Sequence, residues 1–330
     1  MNTLTSKIGL AILVALGLAS AMPIAAFAQE FPTKPVKITT GFPVGSGPEG
    51  VLRLVAEHLS KTWGKPVVVE NRPGANGFIA IDAVKRAPPD GHELLQMDTS
   101  QLTVYQDLFK KLPYDAEKDF EPIMPLFKNY FMVLVAKDSP YQSMRDIVAD
   151  AKKKGAGRVN YGSWSIGNPV HIASTMIEAG TAADMTHVTY KETSALYLAV
   201  ASKELDWALG SVGTAGALQR ADKIRYIGVT APKRMTELPN VPTVAESGGP
   251  ANYDFSAWTA LVAPKGTPPA VLEKIHRDVS AAIASVEMRA KFVALAYEQY
   301  PMSREQFGAL LKSERATNGA AVKRLNLQLD

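Results

Sequence analysis

Short apolar runs of β-prone residues alternate with segments of helical periodicity along the first third of the chain. The apolar runs are residues 36–40, 66–70 and 93–98, and each has the length of a strand. Helical segments lie between them at about 49–63 and 77–86. Strands that alternate with amphipathic helices predict a parallel sheet covered by helices on both faces.

The second half of the chain repeats this alternation. Further strands are predicted at residues 131–136, 159–161, 187–190, 207–209, 225–230 and 257–263. Further helices are predicted at residues 143–154, 269–285, 286–295 and 303–325. Ser143 has the side chain that a helix N-cap prefers.

No flexible linker separates the halves, so several chain crossings between two lobes are expected. We predict an α/β protein of two hinged lobes, each a mostly parallel sheet flanked by helices. The chain leaves the first sheet near residue 130 and returns near residue 255. This assigns residues 29–130 and 255–330 to lobe I and residues 131–254 to lobe II. Ligands of such folds bind outside the carboxyl ends of the strands, and hinges permit closure.

The first residues predict export. Lys7 is the only charge before an apolar run at residues 8–19, and an A-x-A pattern ends at Ala28. These features are typical of a secretory signal peptide, here residues 1–28, and the run is short for a membrane span. The alternative is an uncleaved membrane anchor. We therefore expect a periplasmic protein.

Composition narrows the class. Removing 28 of the 330 residues leaves 302, a length that fits two domains better than one. The mature balance of 35 basic against 32 acidic residues is too even to indicate nucleic-acid or membrane binding. Cysteine is absent, which excludes disulfides, thiolate metal sites and a cysteine nucleophile. It also excludes a lipobox cysteine, so we expect a soluble protein.

The first glycine-rich segment, called here the first loop, spans residues 41–50 and joins a predicted strand to a predicted helix. Backbone N–H groups at a helix start and the helix dipole attract anions. Glycines let a ligand approach the backbone closely. The alternative is a plain strand-to-helix turn whose glycines only satisfy the backbone geometry.

The second loop, residues 161–169, has a similar position. Asn168 suits a helix N-cap. Ser163 and Ser165 offer uncharged hydroxyls, and Trp164 offers a flat apolar wall. The alternative is a buried tryptophan with serines in a turn.

Two further candidates follow. His171 lies one turn into the next predicted helix, where it would either hydrogen-bond a ligand or serve a structural role. Ser211 lies in a third loop, residues 210–214, for which a simple strand–turn–helix is the alternative. Loops of this kind on opposite lobes would form a closed cradle for a carboxylate.

A dinucleotide site is a competing interpretation of the first loop. Gly45, Gly47 and Gly50 match G-x-G-x-x-G after a strand, and Glu70 follows at a suitable distance. Against it, an exported compartment normally lacks free dinucleotides, and Pro48 interrupts the motif. The turn ahead of the first glycine is also long. We therefore expect no cofactor.

The sequence lacks the patterns of known catalytic centres. The five histidines show no metal-ligand spacing, and no G-x-S-x-G motif occurs. Paired carboxylates for acid–base chemistry cannot be located from spacing. We expect neither a metal site nor an enzyme.

At these loops the sequence resembles the Bug receptors, the TctC-like solute-binding proteins of tripartite tricarboxylate transporters. The resemblance covers nearly all of the mature chain, and the joint order of its motifs is specific. The matching segments are residues 31–36, 41–43, 67–75, 89–91, 111–115, 160–163, 187–191, 241–246 and 263–268.

The resemblance implies a two-lobed periplasmic-binding-protein fold of type II-like topology. It also implies that backbone amides, hydroxyls and ordered water of the first and second loops hold a ligand carboxylate. The residues carried over are Phe42, Pro43, Gly45 and Ser46 from the first loop and Ser163, Ser165 and Gly167 from the second. His171 falls where many members keep a histidine.

The chain departs from the family pattern F-P-P-G-G-x-x-D at three positions. Val44, Ser46 and Glu49 replace the second proline, the second glycine and the aspartate. Ser211 stands where many members have aspartate, and Trp164 replaces a small residue. Val44, Trp164 and Ser211 complete the candidate ligand contacts.

These departures bear on the ligand. Glu49 would either cap its helix or face the cleft, where it would repel a second ligand carboxylate. The replacements argue against amino acids and polycarboxylates and favour a bulkier monocarboxylate, such as an aromatic acid stacked near Trp164.

Three functional classes follow from this. The leading one is a monomeric periplasmic receptor that closes on a small organic carboxylate and delivers it to membrane transporter subunits. A receptor that presents its loaded state to a signalling protein is the alternative, and a periplasmic enzyme is the least supported. Nucleic acid is not an expected partner.

Overall fold

The computed structural model describes residues 31–324 and 328–329, so the predicted signal peptide lies outside the described residues. The strands are β1 (Val36–Thr40), β2 (Val67–Asn71), β3 (Glu93–Asp98), β4 (Phe120–Tyr130), β5 (Met132–Ala136), β6 (Asn160–Ser163), β7 (Thr186–Thr189), β8 (Trp207–Gly210), β9 (Ile224–Val229), β10 (Ser256–Pro264) and β11 (Tyr297–Glu298).

Helices connect these strands. They are α1 (Gly47–Trp63), α2 (Phe78–Lys85), α3 (Thr99–Thr103), α4 (Tyr105–Leu108), α5 (Met144–Lys154), α6 (Pro169–Thr181), α7 (Thr193–Ala201), α8 (Val212–Arg220), α9 (Pro269–Ile283), α10 (Val286–Leu295) and α11 (Arg304–Arg324). A short 3₁₀ turn, Ala75–Gly77, precedes α2. Within the described ranges, none of these helices combines the length and apolar character needed to span a bilayer.

The first sheet has six strands in the order β11-β4-β10-β3-β1-β2. β1 pairs parallel with both β2 and β3, as the alternating pattern predicts. β10 runs antiparallel to its neighbours β3 and β4, and β11 runs antiparallel to β4. Val36 and Ile38 on one face of β1 and Thr39 on the opposite face are all buried, as expected of a strand covered on both faces.

The second sheet has five strands in the order β7-β6-β8-β5-β9. β6 pairs parallel with β7 and β8, whereas β5 runs antiparallel to β8 and β9. Each sheet thus has three neighbouring parallel strands, followed by strands in antiparallel pairing, three in the first sheet and two in the second. The predicted parallel order holds within these triplets, and the antiparallel strands make both sheets mixed.

Helix α1 shows how the sequence pattern becomes packing. Val51, Leu52, Val55 and Leu59 repeat on one face and are completely buried, where α1 packs against α9. Each fully buried aliphatic side chain contributes roughly 1.5–3 kcal/mol. Gly64 ends the helix in the left-handed conformation, with φ of 60°. This helix places the first loop at one edge of the first sheet.

The long strand β4 was not predicted from the sequence. Pro122 and Pro125 argue against a strand, because proline cannot donate a ladder hydrogen bond. In the structure both prolines lie where the register with β10 shifts, between Thr259 and Ala260 and again between Leu261 and Val262. Such irregularities are where a paired strand tolerates proline.

The strands that form the second sheet all lie between residues 132 and 229, and those of the first sheet lie before and after them. The chain passes from β4 to β5 through Phe131 alone. The proposed lobe boundaries at residues 131 and 254 stay a prediction.

Candidate functional site

A cavity of about 590 Å³ lies between the two sheets. Its walls include Gly41 beyond the end of β1, Asp98 at the end of β3, and Ser211 beyond the end of β8. The carboxyl ends of parallel strands are where open α/β sheets bind ligands. The volume is in the range of small-molecule sites.

Aromatic residues from both sheets line this cavity; Phe42 and Trp164 are half-buried, whereas the side chains of Tyr105 and Trp258 are fully buried. Phe42, Tyr105 and Trp258 come from the first sheet and its loops, whereas Trp164 follows β6 of the second sheet. The Trp258 indole N–H donates to the Glu314 carboxylate at 3.1 Å, which holds the ring in place. Ligand atoms between these rings would lose most of their contact with water.

The first loop contains its own anion. Glu49 is 2% exposed, and its carboxylate accepts the Gly45 N–H at 3.1 Å and pairs with Arg53. The side chain is not among the cavity-lining groups, so of the two alternatives Glu49 supports the helix start. Ser46 lines the cavity, and its buried hydroxyl has no hydrogen-bond partner among the described residues.

The second loop satisfies most of its own polar groups. Asn168 caps α6 by accepting the N–H groups of Val170 and His171 at 2.8 and 3.0 Å. The Ser163 hydroxyl donates to the Ser165 carbonyl at 2.9 Å and accepts from the Asn168 amide at 2.9 Å. The start of α6 therefore offers fewer free donors than the sequence interpretation expects.

A histidine pair supports this loop from behind. The rings of His171 and His187 lie 4.1 Å apart. His171 Nδ1 accepts the Gly167 N–H at 3.0 Å, and His187 Nε2 lies 2.7 Å from the Ser163 hydroxyl. Because that hydroxyl already donates to a carbonyl, we infer that His187 Nε2 donates to it.

Both histidines are neutral at physiological pH. Burial, with a smaller effect of His187, lowers the pKa of His171 to about 3. Burial lowers the pKa of His187 to about 4. The pair is therefore a neutral structural support and presents no cationic anion site.

The third loop meets the first sheet at Tyr297. The Thr214 hydroxyl at the start of α8 donates to the Ser211 carbonyl at 3.1 Å. The Ser211 hydroxyl lies 3.5 Å from the Tyr297 hydroxyl, which comes from β11. Both side chains line the cavity, and Tyr297 stacks on Phe127 with ring centres 4.4 Å apart.

Asp98 is a cavity residue that the sequence interpretation missed. It ends β3 and caps α3, where its carboxylate accepts the Gln101 N–H at 2.9 Å. Burial raises its pKa to about 6. Its place at the carboxyl end of a parallel strand is the signal that would have identified it.

The turn after β2 also lines the cavity unexpectedly. Residues 74–77 all have positive φ, from 46° at Ala75 to 110° at Gly74. A side chain at Gly77 would collide with the Gln101 amide, whose Nε2 donates to the Asn76 carbonyl at 3.0 Å. This turn closes the cavity at the β2 edge of the first sheet.

The structure divides the predicted ligand residues into two groups. Six of them line the cavity, namely Phe42, Pro43, Ser46, Trp164, Ser165 and Ser211. The remaining five lie outside its lining, namely Val44, Gly45, Ser163, Gly167 and His171. Val44 is 72% exposed, and the other four take part in or support the loop networks described above. Ligand contact by any of these residues stays a prediction.

Charged side chains are sparse around the cavity. Lys191 is the only cationic side chain among the described residues that line it. Asp98 and the exposed Glu192 are the corresponding anionic ones. The described residues also contain no cluster of three potential metal-ligating side chains.

A sequence model described as "Tripartite tricarboxylate transporter family receptor" (TctC) matches residues 51–327. The chain belongs to this family. The resemblance noted in the sequence is therefore confirmed, and family and fold are those of periplasmic solute-binding receptors.

Relatives of known sequence agree with this assignment. The chain is 28% identical to the UPF0065 protein in the tcbD-tcbE intergenic region of Pseudomonas sp., over 91% of this chain and 89% of that protein. It is 27% identical to the protein BugT of Bordetella pertussis, over 89% of this chain and 88% of BugT.

Solved structures confirm the two-lobed fold. An R. palustris protein with adipate has a TM-score of 0.85 at 25% identity, over 91% of this chain and all of that one. The periplasmic binding protein BugD has a TM-score of 0.82 at 26% identity, over 91% of this chain and all of BugD. MatC from Rhodopseudomonas palustris with bound malate has a TM-score of 0.81 at 25% identity, over 88% of this chain and all of MatC.

Proposed function

We propose that this receptor closes around a small organic monocarboxylate, an aromatic acid being the best fit, and delivers it to a membrane transporter. Adipate and malate are the ligands of two structural neighbours, which supports a carboxylate. Closure would bring the aromatic walls of both sheets against the ligand.

The observation that carries this proposal is the charge distribution of an aromatic cavity. Its polar lining is mostly uncharged, and its single cation, Lys191, is balanced by the carboxyl groups of Asp98 and Glu192. A ligand with several negative charges would leave most of them unpaired away from water, which is costly. One carboxylate can be held by neutral donors alone.

Trp164 supports the aromatic detail. It packs on apolar clusters on both sides of the second sheet and still presents surface to the cavity. Phe42 and Trp258 line the same space. Offset or edge-to-face ring contacts contribute about 0.5–1.5 kcal/mol beyond simple burial. An aromatic acid would thus gain more from these walls than a linear acid of equal size.

The test compares benzoate, adipate, malate and citrate by calorimetry and thermal shift. We expect benzoate to bind tightest and to raise the melting temperature, because a ligand that binds only the folded state stabilises it. Tight citrate binding without benzoate binding would contradict the proposal. Trp164→Leu should weaken benzoate, whereas Trp63→Leu should not, because Trp63 bonds Asp278 outside the cavity lining.

Four further expectations stay predictions. They are cleavage of residues 1–28, the monomeric state, delivery to a transporter, and the alternative of a sensory partner. Mass spectrometry of the exported protein tests the first, and the measured solution mass tests the second.

A further inference from the structure

Two helix starts converge on the Tyr297 hydroxyl. A methyl group added at Gly47, the first residue of α1, would collide with this hydroxyl. A methyl group at Gly213, in the first turn of α8, would lie 3.1 Å from it. The first N–H groups of a helix lack intrahelical acceptors and carry the positive end of its dipole. The hydroxyl thus lies between two electropositive helix ends.

Asn129 adds a side chain with unused hydrogen-bonding capacity to this region. It is 7% exposed, and its amide makes no hydrogen bond to any other residue within 31–324 and 328–329. Its cross-strand neighbours in the first sheet are Ala257 and Tyr297, and all three line the cavity. Directly paired residues point to the same face of a sheet. The amide is therefore directed into the cavity beside the Tyr297 ring.

Ser46 and Ser211 complete what we call the Tyr297 cluster, which consists of Ser46, Asn129, Ser211 and Tyr297. The Ser46 hydroxyl is buried without a partner among the described residues. The Thr214 hydroxyl is already approached by the Ser211 N–H at 3.2 Å and by the Tyr197 hydroxyl at 3.2 Å. The Ser211 hydroxyl lies 3.1 Å from the Thr214 hydroxyl, and either oxygen can donate, so a ligand acceptor in the cavity competes with Thr214 for the Ser211 proton.

The cluster is uncharged but rich in donors. Burial raises the pKa of Tyr297 to about 12, so its hydroxyl keeps its proton at neutral pH. Glu49, three residues after Ser46, pairs its carboxylate with the Gly45 N–H and Arg53 and does not line the cavity. Asp98 lies on β3, three strands away from Tyr297 in the first sheet, or roughly 14 Å at the usual strand spacing.

We propose that the ligand's carboxylate binds in the Tyr297 cluster, with Tyr297, Ser211 and Asn129 as its hydrogen-bond donors. This inference rests on the proposed function. It places the ligand's carboxylate at the Tyr297 cluster, whereas the family resemblance implies the first and second loops. In the second loop Asn168 caps α6 and the Ser163 hydroxyl is fully engaged, which leaves the Ser165 hydroxyl as the remaining side-chain donor of that loop at the cavity. The rest of the ligand then extends towards Trp164 and Asp98.

Two variants test the cluster in the full-length exported protein. Calorimetry uses whichever of benzoate, adipate, malate and citrate binds the wild type tightest. Tyr297→Phe removes one donor to a charged group, so we expect binding to be about tenfold to a hundredfold weaker. Asn129→Asp keeps the shape and adds a negative charge, and we expect a loss of about a hundredfold or more.

Matched controls separate binding from folding. Tyr300→Phe removes a hydroxyl three residues away from Tyr297, and Asn252→Asp adds a charge in an exposed turn. Neither residue lines the cavity, and both variants should bind as the wild type does. Urea unfolding of all four variants shows whether any loss of binding reflects instability.

The outcomes distinguish this inference from the proposed function. If one acid binds the wild type, but Tyr297→Phe and Asn129→Asp bind it equally well, the inference is overturned and the receptor proposal survives. The same holds if Ser165→Ala weakens binding more than either cluster variant. If none of the four acids binds the folded wild type, both proposals fall.

Discussion

The second loop and the Tyr297 cluster both lie at strand ends beside the same cavity, but their polar groups differ in one respect. In the second loop, Asn168 and Ser163 use their hydrogen-bonding capacity on neighbouring atoms of the loop. In the Tyr297 cluster, Asn129 and Ser46 have no partners among the described residues. The first arrangement stabilises a fold, and the second leaves donors available for a ligand.

This contrast teaches how to separate structural from ligand-binding loops. Both regions have serines, a glycine and a helix start, so composition does not distinguish them. Buried polar groups are nearly always paired in native proteins, and an unpaired one calls for an explanation. Counting the hydrogen-bond partners of each buried polar group therefore identifies the region whose groups are left unpaired.

The largest expected effect concerns Asn168, the centre of the second loop. Asn168→Ala would remove the cap of α6 and two donated bonds, to Ser163 and to the Ser165 carbonyl. We expect the free energy of unfolding to fall by about 2–4 kcal/mol, since a cap and buried partners are lost together. Urea denaturation measures it.

The matched control is Ser143→Ala at the start of α5. The Ser143 hydroxyl accepts the Asp146 N–H at 3.4 Å and donates to the partly exposed Asp146 carboxylate at 3.0 Å, so its loss should cost only about 1 kcal/mol. Equal costs for the two variants would show that the second loop is not the self-supporting unit described here.

The next prediction concerns Gly167, which has φ of 80° and lies against Leu108 and Tyr105. Gly167→Ala would introduce both backbone strain and a collision with Leu108. We expect about tenfold weaker binding of the tightest acid, by roughly 1.4 kcal/mol, because the closed arrangement becomes harder to reach. The double variant Gly167→Ala/Leu108→Ala should bind the acid more tightly than Gly167→Ala alone, because the collision is removed. If the double variant binds no better, backbone strain alone accounts for the loss.

Asp98 gives a prediction about stability whose sign depends on pH. Its folded-state pKa of about 6 is above the ordinary 3.8, so its favourable contribution is present below pH 3.8 and is lost as the pH rises through 6. Asp98→Asn should therefore be more stable than the wild type at pH 8, by up to about 3 kcal/mol for a shift of about two pKa units. The two should be nearly equal at pH 4.

Asp115→Asn is a control for Asp98→Asn in which the expected change in stability has the opposite sign. The Lys118 ammonium and backbone N–H groups hold the pKa of Asp115 below its usual value. Removing that charge should slightly destabilise the protein at pH 8. Destabilisation by Asp98→Asn at pH 8 would contradict the assignment of Asp98 as a buried, costly charge.

The last prediction concerns the histidine pair and is best measured in the Asp98→Asn background. Both folded-state pKa values, about 3 and about 4, are below the ordinary 6.5. Their contribution to stability is present above pH 6.5 and is lost as the pH falls through about 4. His187→Gln, which keeps a donor for Ser163, should flatten this decline; an unchanged pH profile would contradict it.

Much of the fold follows from the sequence alone. The alternating pattern predicted β1, β3 and the helix that became α1, because local apolar spacing decides which face of an element is buried. The capping role of Asn168 was also visible, since an asparagine before proline suits a helix start. These are local preferences, and they do not depend on the rest of the chain.

The tertiary structure decided the rest. Tyr297 and Ser211 are 86 residues apart, and Asn129 and Tyr297 meet only because β11 pairs with β4. The strand β4 was not predicted because it contains prolines. A strand tolerates them only where its register with a neighbour shifts, as that of β4 does with β10. Which donors remain unpaired is a property of all their neighbours at once. Spacing along one chain contains no such information, because packing and strand pairing bring distant residues together.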